Sequence, residues 1–344
     1  MTTDLNRRWL IAARPIGRAL RSEDFAPDLA AIPTPEDGEL LVRSLYLEMA
    51  PAQKSWMENI TGYARPTEIG GVMPGTGLGR VIQSRSPHHA AGDLVRGPLG
   101  WQEFAVVEAS QVDPVPADIA PTLALGVLGS SGRTAYFGLL HVGRPRPGDV
   151  IVVSGAAGAV GSVVAQLGRV AGCRVIGIAG GAEKCAQLAA DPSFEAVIDY
   201  KIERVRSRLR ELSPGGVDIF FDNVGGDVLN EVLSRLAYGA RVVICGGISR
   251  YNADPRDPSQ MPPGPRNYFN LVATQATMQG FLVHQFAAHY PVADARLAAW
   301  VRSGDLRQRE DIVDGFENAP RALLRLFEGK NLGKQIVRLD AARA

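Results

Sequence analysis

The sequence predicts an α/β protein in which a doubly wound parallel sheet follows a β-rich region. Three observations predict it. Before residue 120 or so, short apolar runs are divided by Gly and Pro. From Asp149 onward, strand-like and helix-like runs alternate for roughly 100 residues. A strand, a glycine turn and a helix meet at Val152–Gly161, inside that alternating region.

The elements follow in order. Glu39–Val42, Gly79–Ile82 and Glu103–Val107 are short apolar runs that suit a small, irregular, mostly antiparallel domain. Helical segments are expected near Ala120 and over Gly132–Leu140. Strands are then expected at Asp149–Ser154, Arg174–Ile178, Val197–Ile198, Val217–Asn223 and Ala240–Cys245. Between them stand helices at Gly158–Ala171, Gly181–Ala190, Ile202–Leu212 and Asp227–Leu236. Gly280–Val283 adds a last strand to this sheet. Arg250–Arg266 holds five prolines (Pro255, Pro258, Pro262, Pro263, Pro265) and reads as a long loop. A helix at Asn318–Phe327 and a strand at Lys334–Leu339 close the chain.

The chain has 344 residues, suited to about two domains. A formal net charge of +1 gives no reason to expect nucleic acid or an anionic membrane as partner. The opening MTTDLNRRWL lacks the basic-then-apolar pattern of a secretory signal. Three cysteines, Cys173, Cys185 and Cys245, make no disulfide framework and point to a reducing, cytoplasmic compartment. Ile151–Gly168 is uncharged and long enough to suggest a membrane span, but Gly155, Gly158 and Gly161 interrupt it. A strand, a tight turn and a buried helix explain it better.

The glycine turn carries the first chemistry. In Ser154-Gly155-Ala156-Ala157-Gly158-Ala159-Val160-Gly161, Gly158 lets the backbone approach a pyrophosphate and Gly161 lets the helix pack on the sheet. The helix N-terminus offers free N–H groups and partial positive charge to that anion. This is a dinucleotide-binding, Rossmann-type fingerprint, with Ala156 at the usual first glycine position. A glycine-rich core turn, or a related fold that holds a methyltransferase's cofactor, is the other reading of the same residues. The second strand then decides between nicotinamide cofactors. It ends Ile178-Ala179-Gly180-Gly181, without the acid that bonds a ribose 2′-hydroxyl, and Lys184 follows in the next helix. A missing carboxylate and an added ammonium favour a 2′-phosphate, hence NADP(H). No metal site is visible: the cysteines lack ligand spacing, and the pair His88-His89 lies in a proline-flanked loop. There is no G-x-S-x-G elbow to suggest a serine hydrolase.

A longer series of segments is specific in combination: Gly100–Phe104, Thr134–Leu140, Val153–Ser162, Ile178–Cys185, Ile198–Lys201, Phe221–Gly226, Gly247–Asn252, Asn267–Asn270 and Gly329–Lys334. Across nearly the whole chain they resemble the medium-chain dehydrogenase/reductase superfamily. More narrowly, they resemble its zinc-independent branch of prostaglandin reductases, alkenal double-bond reductases and curcumin reductases. The resemblance implies a GroES-like catalytic domain at residues 1–125 plus 310–344 and an NADP-binding Rossmann domain at 126–309. It implies that Lys184 and Tyr200 hold the 2′-phosphate, that Asn223 and Cys245 line the cofactor groove, and that Phe281 and Val283 lie beside the nicotinamide. Thr134, Ala157, Gly158, Val160, Gly161, Ala179, Gly180, Ser249 and Asn331 complete the implied cofactor contacts. Tyr251 matches a tyrosine whose hydroxyl meets the substrate carbonyl. The implied reaction is NADPH-dependent reduction of the C=C bond of an enone or enal, in a homodimer.

The departures from the family cluster near the expected substrate. The family's Asp-Pro-Tyr-Met-Arg-Gly-Arg-Met stands here as Ala50-Pro51-Ala52-Gln53-Lys54-Ser55-Trp56-Met57. Ala52 opens space that Trp56 can refill, and Lys54 or Arg133 is expected either to meet an acidic substrate group or to be solvated. Quinone reduction on the same fold and a non-catalytic NADPH sensor are the rival functions.

Overall fold

The computed structural model describes residues 5–60, 67–262 and 264–339. Pro263 and the chain ends counted in the domain ranges lie outside the described residues. The chain divides into two compact units. One comprises Met1–Leu125, Tyr251–Pro258 and Glu310–Ala344, the other Gly126–Arg250 and Ser259–Arg309.

The first unit opens with strands β1 (Leu5–Ile11) and β2 (Phe25–Ala31), an antiparallel pair running from Leu5↔Ala31 to Ile11↔Phe25. The long β3 (Glu39–Glu48) leads into helix α1 (Ala52–Glu58), which ends at Asn59 in the left-handed conformation. Strands β4 (Gly77–Ser84), β5 (Leu94–Gly97), β6 (Phe104–Glu108) and β7 (Asp113–Pro114) follow. Leu40 and Val42, two apart on β3, turn to one face and join Val81, Val95, Ala105 and Val107 in a buried layer. A second core gathers Ile11, Phe25, Leu47, Met57 and Trp101, with Phe25 stacked on Trp101 at 5.3 Å.

The second unit is built on six strands: β8 (Val150–Ser154), β9 (Arg174–Ala179), β10 (Ala196–Asp199), β11 (Val217–Asp222), β12 (Leu236–Ile244) and β13 (Thr277–Gly280). Every pairing is parallel, in the order β10-β9-β8-β11-β12-β13. The chain winds outward from β8 to β10, then returns to lay β11 on the other side of β8. That reversal defines a switch point between β8 and β11. The helices are α2 (Ser130–Tyr136), α3 (Ala159–Val170), α4 (Ala182–Ala189), α5 (Val205–Leu212), α6 (Gly226–Leu233), α7 (Asn270–Thr274) and α8 (Tyr290–Ser303). Alternate strand residues Val150, Val152, Ile176, Ile178, Phe220 and Val242 pack with α5 and α6. The opposite face takes α3, where a Cβ on Gly168 would lie 2.9 Å from Ile151 and 3.0 Å from Val175. The uncharged stretch at 151–168 is thus a strand, a turn and a helix, and among the described residues no helix is long and apolar enough to cross a membrane.

The chain then returns to the first unit with β14 (Glu310–Asp314), α9 (Ala319–Phe327) and β15 (Lys334–Arg338). β15 pairs antiparallel with β3 and parallel with β14. A buried ion pair joins Lys334 to Glu48 at this seam.

Four elements differ from the sequence reading. The helix expected over Gly132–Leu140 is α2 followed by a π-helical turn, Phe137–Gly143, with Gly138 pressed between aromatic rings. A Cβ there would lie 2.6 Å from Phe281 and 2.7 Å from Phe221. The last strand is Thr277–Gly280 rather than Gly280–Val283, because Gly280 already faces Ile244 at the end of β12. Val283–His289 is instead a 3₁₀ turn. α5 starts at Val205, since Ile202 and Glu203 turn back to donate to the Asp199 carbonyl. Finally, residues 251–258, read with the inserted domain, pack with the first unit.

Candidate active site

The switch point of the second unit is held by one buried polar network. Ser154, the last residue of β8, donates its hydroxyl to Asp222 Oδ1 on β11 at 2.7 Å. Asp222 also accepts the backbone N–H groups of Val224 and Gly225 at 3.0 Å. Asn223 closes the network twice, donating its backbone N–H to Ser154 Oγ (2.8 Å) and its side-chain amide to the Ser154 carbonyl (2.7 Å). Burial pushes the Asp222 carboxyl up, against the lowering effect of the Gly225, Ser154 and Val224 donors. Its oxygens face donors, which is what a buried carboxylate requires. The network locks the loop after β11 to the tip of β8.

A second loop is attached to the first. The N–H groups of Cys245 and Gly246 donate to the Asp222 carbonyl at 2.9 and 3.0 Å. Ser249 donates its hydroxyl to the Val224 carbonyl at 2.6 Å. Cys245 and Ser249 thus stand beside Asn223 at the ends of β11 and β12. Burial, with Asp222 adding, pushes the Cys245 thiol up to about 12, so it stays neutral.

The glycine turn occupies the tip of β8. Gly155 has φ +60, and Gly158 N–H donates to its carbonyl at 3.0 Å. A Cβ on Gly161 would lie 2.4 Å from the Gly155 carbonyl oxygen, so only glycine seats α3 this closely. By helix geometry the first N–H groups of α3, those of Ala159, Val160 and Gly161, have no intrahelical acceptor. Ala157, in the turn before them, is buried. This cradle fits a dinucleotide pyrophosphate.

At the tips of β9 and β10, Ala179 is buried and Gly180 lies under the Tyr200 ring. A Cβ on Gly180 would come within 2.6 Å of that ring. Tyr200 is half exposed and fixed through its N–H to the Ala179 carbonyl at 3.1 Å. Lys184 stands in the first turn of α4, whose N-cap Gly181 has φ +101. The acid nearby, Asp199, is spent: its Oδ1 accepts from Gly181 N–H and Lys201 N–H, both at 3.0 Å. A lysine and an open phenol, with the carboxylate tied to backbone, fit a 2′-phosphate. Phe281 packs on Phe286 at 6.4 Å beside the π-helical turn, and Val283 begins the following 3₁₀ turn. Thr134 lies on α2, partly exposed.

Of the remaining named residues, Arg133 lies in the second unit and the others in the first. Tyr251 is partly buried, with its ring 5.8 Å from Phe327 of α9. Asn331 lies in the turn before β15, donating to the Gly333 carbonyl at 3.2 Å. Ala52 and Trp56, four apart on α1, share its partly exposed face. Two expectations are corrected. Lys54 is fully buried, and its ammonium is engaged by Glu58, the Pro15 carbonyl and the Tyr251 carbonyl. Arg133 forms a two-pronged ion pair with Asp294 (2.8 and 2.5 Å) and stacks 4.3 Å over Tyr290. Both cations are thus committed to partners within the protein, not to an acidic substrate group. The sequence reading passed over Glu58, although its spacing of four from Lys54 was legible. It also passed over the Ser154–Asp222 pair, whose only signal is two polar residues at strand ends.

Two family models match the chain: an N-terminal domain of oxidoreductase at residues 7–115 and a zinc-binding dehydrogenase domain at residues 159–299. Among the described residues no group of three or more His, Cys, Asp or Glu side chains is placed to hold a metal ion. The chain is 38% identical to the NADPH-dependent curcumin reductase of Escherichia coli over 342 residues, 97% of each protein. It is 35% identical to the NADP(+)-dependent 2-alkenal reductase of Nicotiana tabacum over 303 residues, 87% of each protein. The structure of CurA from Vibrio vulnificus in complex with NADPH superposes with a TM-score of 0.88 at 39% identity, covering 97% of this chain and 99% of that one. With its fold and the length of these matches, the chain belongs to the medium-chain dehydrogenase/reductase superfamily, in the branch of NADP-dependent curcumin, prostaglandin and alkenal reductases.

Proposed function

We propose that this protein reduces the C=C bond of α,β-unsaturated ketones or aldehydes at the expense of NADPH. It is an NADP-dependent oxidoreductase. The observation that carries the finer reading is a pairing in one chain. A nucleotide cradle is built at the switch point of its sheet, and its near-full-length relatives include a curcumin reductase and a 2-alkenal reductase. Gly158, Val160 and Gly161 would take the pyrophosphate, with Ala157 in the turn before them, and Lys184 and Tyr200 the 2′-phosphate beside Ala179 and Gly180. Asn223, Cys245, Ser249, Thr134, Phe281 and Val283 would line the rest of the groove, and Asn331 would add a further cofactor contact.

Bound NADPH supplies a hydride to the β-carbon of the conjugated bond. The negative charge this leaves on the substrate's carbonyl oxygen is what the Tyr251 phenol would meet, donating a hydrogen bond to it. A proton from solvent or a relayed donor completes the α-carbon. Ala52 and Trp56 would shape the substrate side. Since Lys54 and Arg133 are already paired, we read the substrate as a neutral enone or enal. A homodimer joined along the free edge of β13 fits that strand's four exposed residues. A cytoplasmic location fits three cysteines that form no disulfide.

The test is NADPH oxidation by the purified protein against enones, enals and quinones, with products identified by mass spectrometry and Tyr251→Phe run in parallel. Saturated ketone or aldehyde products, formed more slowly by the variant, are expected. Quinone turnover indifferent to Tyr251→Phe, or tight NADPH binding with no turnover, would refute the reading.

A further inference from the structure

Lys54 is the most deeply buried cation among the described residues, at 0% exposure. An ammonium has three N–H donors and no acceptor. All three are spent here, on the Glu58 carboxylate, the Pro15 carbonyl at 3.1 Å and the Tyr251 carbonyl. These partners come from three separate stretches of chain. Glu58 is one helical turn away, but Pro15 and Tyr251 are 39 and 197 residues distant.

The Tyr251–Pro258 segment needs such a hold. It is a short excursion into the first unit, and the residues before and after it, through Arg250 and from Ser259, belong to the second. Within the segment, Arg256 pairs with Asp254. The ring of Tyr251 meets Phe327 and its carbonyl meets Lys54. If filling space were all that mattered, an apolar side chain would serve at a smaller desolvation cost. What an ammonium adds is direction, since it fixes the Tyr251 backbone relative to α1.

We propose that Lys54, neutralised by Glu58, is a positioning residue for Tyr251: it holds the Tyr251 carbonyl so that the phenol is preset for the substrate oxygen. This rests on the reading of Tyr251 as the phenol that meets the substrate. Lys54 touches no reacting atom in this account.

The test compares Lys54→Met, which keeps the stem and removes the ammonium, with wild type, alone and combined with Tyr251→Phe. Three quantities are read: hydrogen–deuterium exchange over 251–258, the Kd for NADPH, and kcat with KM on a neutral enone. Lys54→Met should raise exchange over 251–258 and leave the NADPH Kd within about twofold. It should lower kcat by up to about a hundredfold, the scale of an ångström misplacement. In the Tyr251→Phe background it should cost no more than about twofold further. Unchanged exchange over 251–258, or the same loss of kcat in both backgrounds, would overturn the proposal. Should Tyr251→Phe alone leave kcat intact, the catalytic reading of Tyr251 fails, and the exchange data still decide whether Lys54 holds the segment. If Lys54→Met does not fold, Glu58→Gln removes the charge partner but keeps an acceptor. It is expected to shift the same readouts in the same direction, and no shift would count against the proposal.

Discussion

Two glycines of one turn should fail in different ways. A methyl group at Gly161 would lie 2.4 Å from the Gly155 carbonyl oxygen, 2.9 Å from Ala156 Cα and 3.0 Å from the Gly155 carbonyl carbon. All three are backbone atoms, tied in place by Ala156 N–H to the Ile178 carbonyl (3.1 Å) and Gly158 N–H to the Gly155 carbonyl (3.0 Å). Relief therefore needs α3 to withdraw by about an ångström, an overpacking cost of about 1–3 kcal/mol. At about 2–4 °C per kcal/mol for a domain of this size, Gly161→Ala should lower Tm by roughly 2–12 °C. Withdrawal also takes the α3 N–H groups from the pyrophosphate, at about 1–3 kcal/mol, or roughly five- to 150-fold in Kd. Gly158 is different. Its φ is −83, open to alanine, and a methyl there would meet only the Gly155 carbonyl oxygen, at 3.2 Å. Gly158→Ala should keep Tm, or gain slightly from a stiffer unfolded chain, while its methyl stands where the pyrophosphate approaches. NADPH titration by fluorescence and thermal melts without ligand separate the two. An unchanged NADPH Kd in Gly158→Ala would refute the seating of the pyrophosphate. An unchanged Tm in Gly161→Ala would refute the packing argument.

Three further outcomes are expected. Lys184→Met should weaken NADPH by about 1.5–3 kcal/mol, the scale of a charged hydrogen bond, and leave NADH nearly untouched; equal losses for both would show that Lys184 does not read the 2′-phosphate. Glu48→Gln leaves the Lys334 ammonium buried without its anion and should cost about 3–5 kcal/mol in urea denaturation, most of it recovered by Glu48→Leu with Lys334→Met. Burial pushes the Cys173 thiol up to about 11 and the Cys245 thiol up to about 12, above the ordinary 9.0. Folded thiols then keep protons that the unfolded chain loses, so their contribution is whole below pH 9 and drains away as pH rises toward 11 or 12, by about 1.4 kcal/mol per pH unit for the buried Cys245 thiol and by less for Cys173, which solvent screens. Cys245→Ala should flatten the alkaline side of a stability–pH curve, and an unchanged slope would show that its thiol titrates normally.

How far the sequence could be read varies with the physics at each place. The second unit was legible because strand and helix periods alternate and each crossover is local. The Gly155–Gly161 turn was legible because glycine is required there by close backbone contact, a demand that leaves a mark in sequence. The first unit was harder. The β1–β2 pair and α1 went unread, since β1 carries polar and charged residues among its apolar ones and α1 is seven residues long. The roles of Lys54 and Arg133 were misread for a different reason. A cation in a substituted motif suggests a ligand, but its partner is set by tertiary structure: Asp294 is 161 residues from Arg133, and the Tyr251 carbonyl is 197 residues from Lys54. The turn at Asp199 was missed likewise, because nothing local announces that its carboxylate will be spent on the N–H groups of Gly181 and Lys201.

The two units solve the same problem with different chemistry. In the second, local crossovers between parallel strands fix which strand lies where, and the buried polar groups at the switch point serve the loops. The first is assembled from three stretches of chain, 1–125, 251–258 and 310–344, and no local connection sets their register. At each of the two joins stands a buried lysine with a glutamate: Lys334 with Glu48 where β15 meets β3, and Lys54 with Glu58 where residue 251 meets α1. Such pairs are poor sources of net stability, because desolvation consumes most of the attraction. Their value is that a misplaced register leaves a charge buried and alone, at a cost of several kcal/mol, whereas misplaced apolar groups slide cheaply. On this account the double replacement at Glu48 and Lys334 separates the two roles. It should restore the denaturation midpoint while multiplying the amide resonances of β15, since stability can be rebuilt from apolar packing and register cannot. A single sharp set of resonances in that variant would mean that the β3 ladder alone fixes the C-terminal strand.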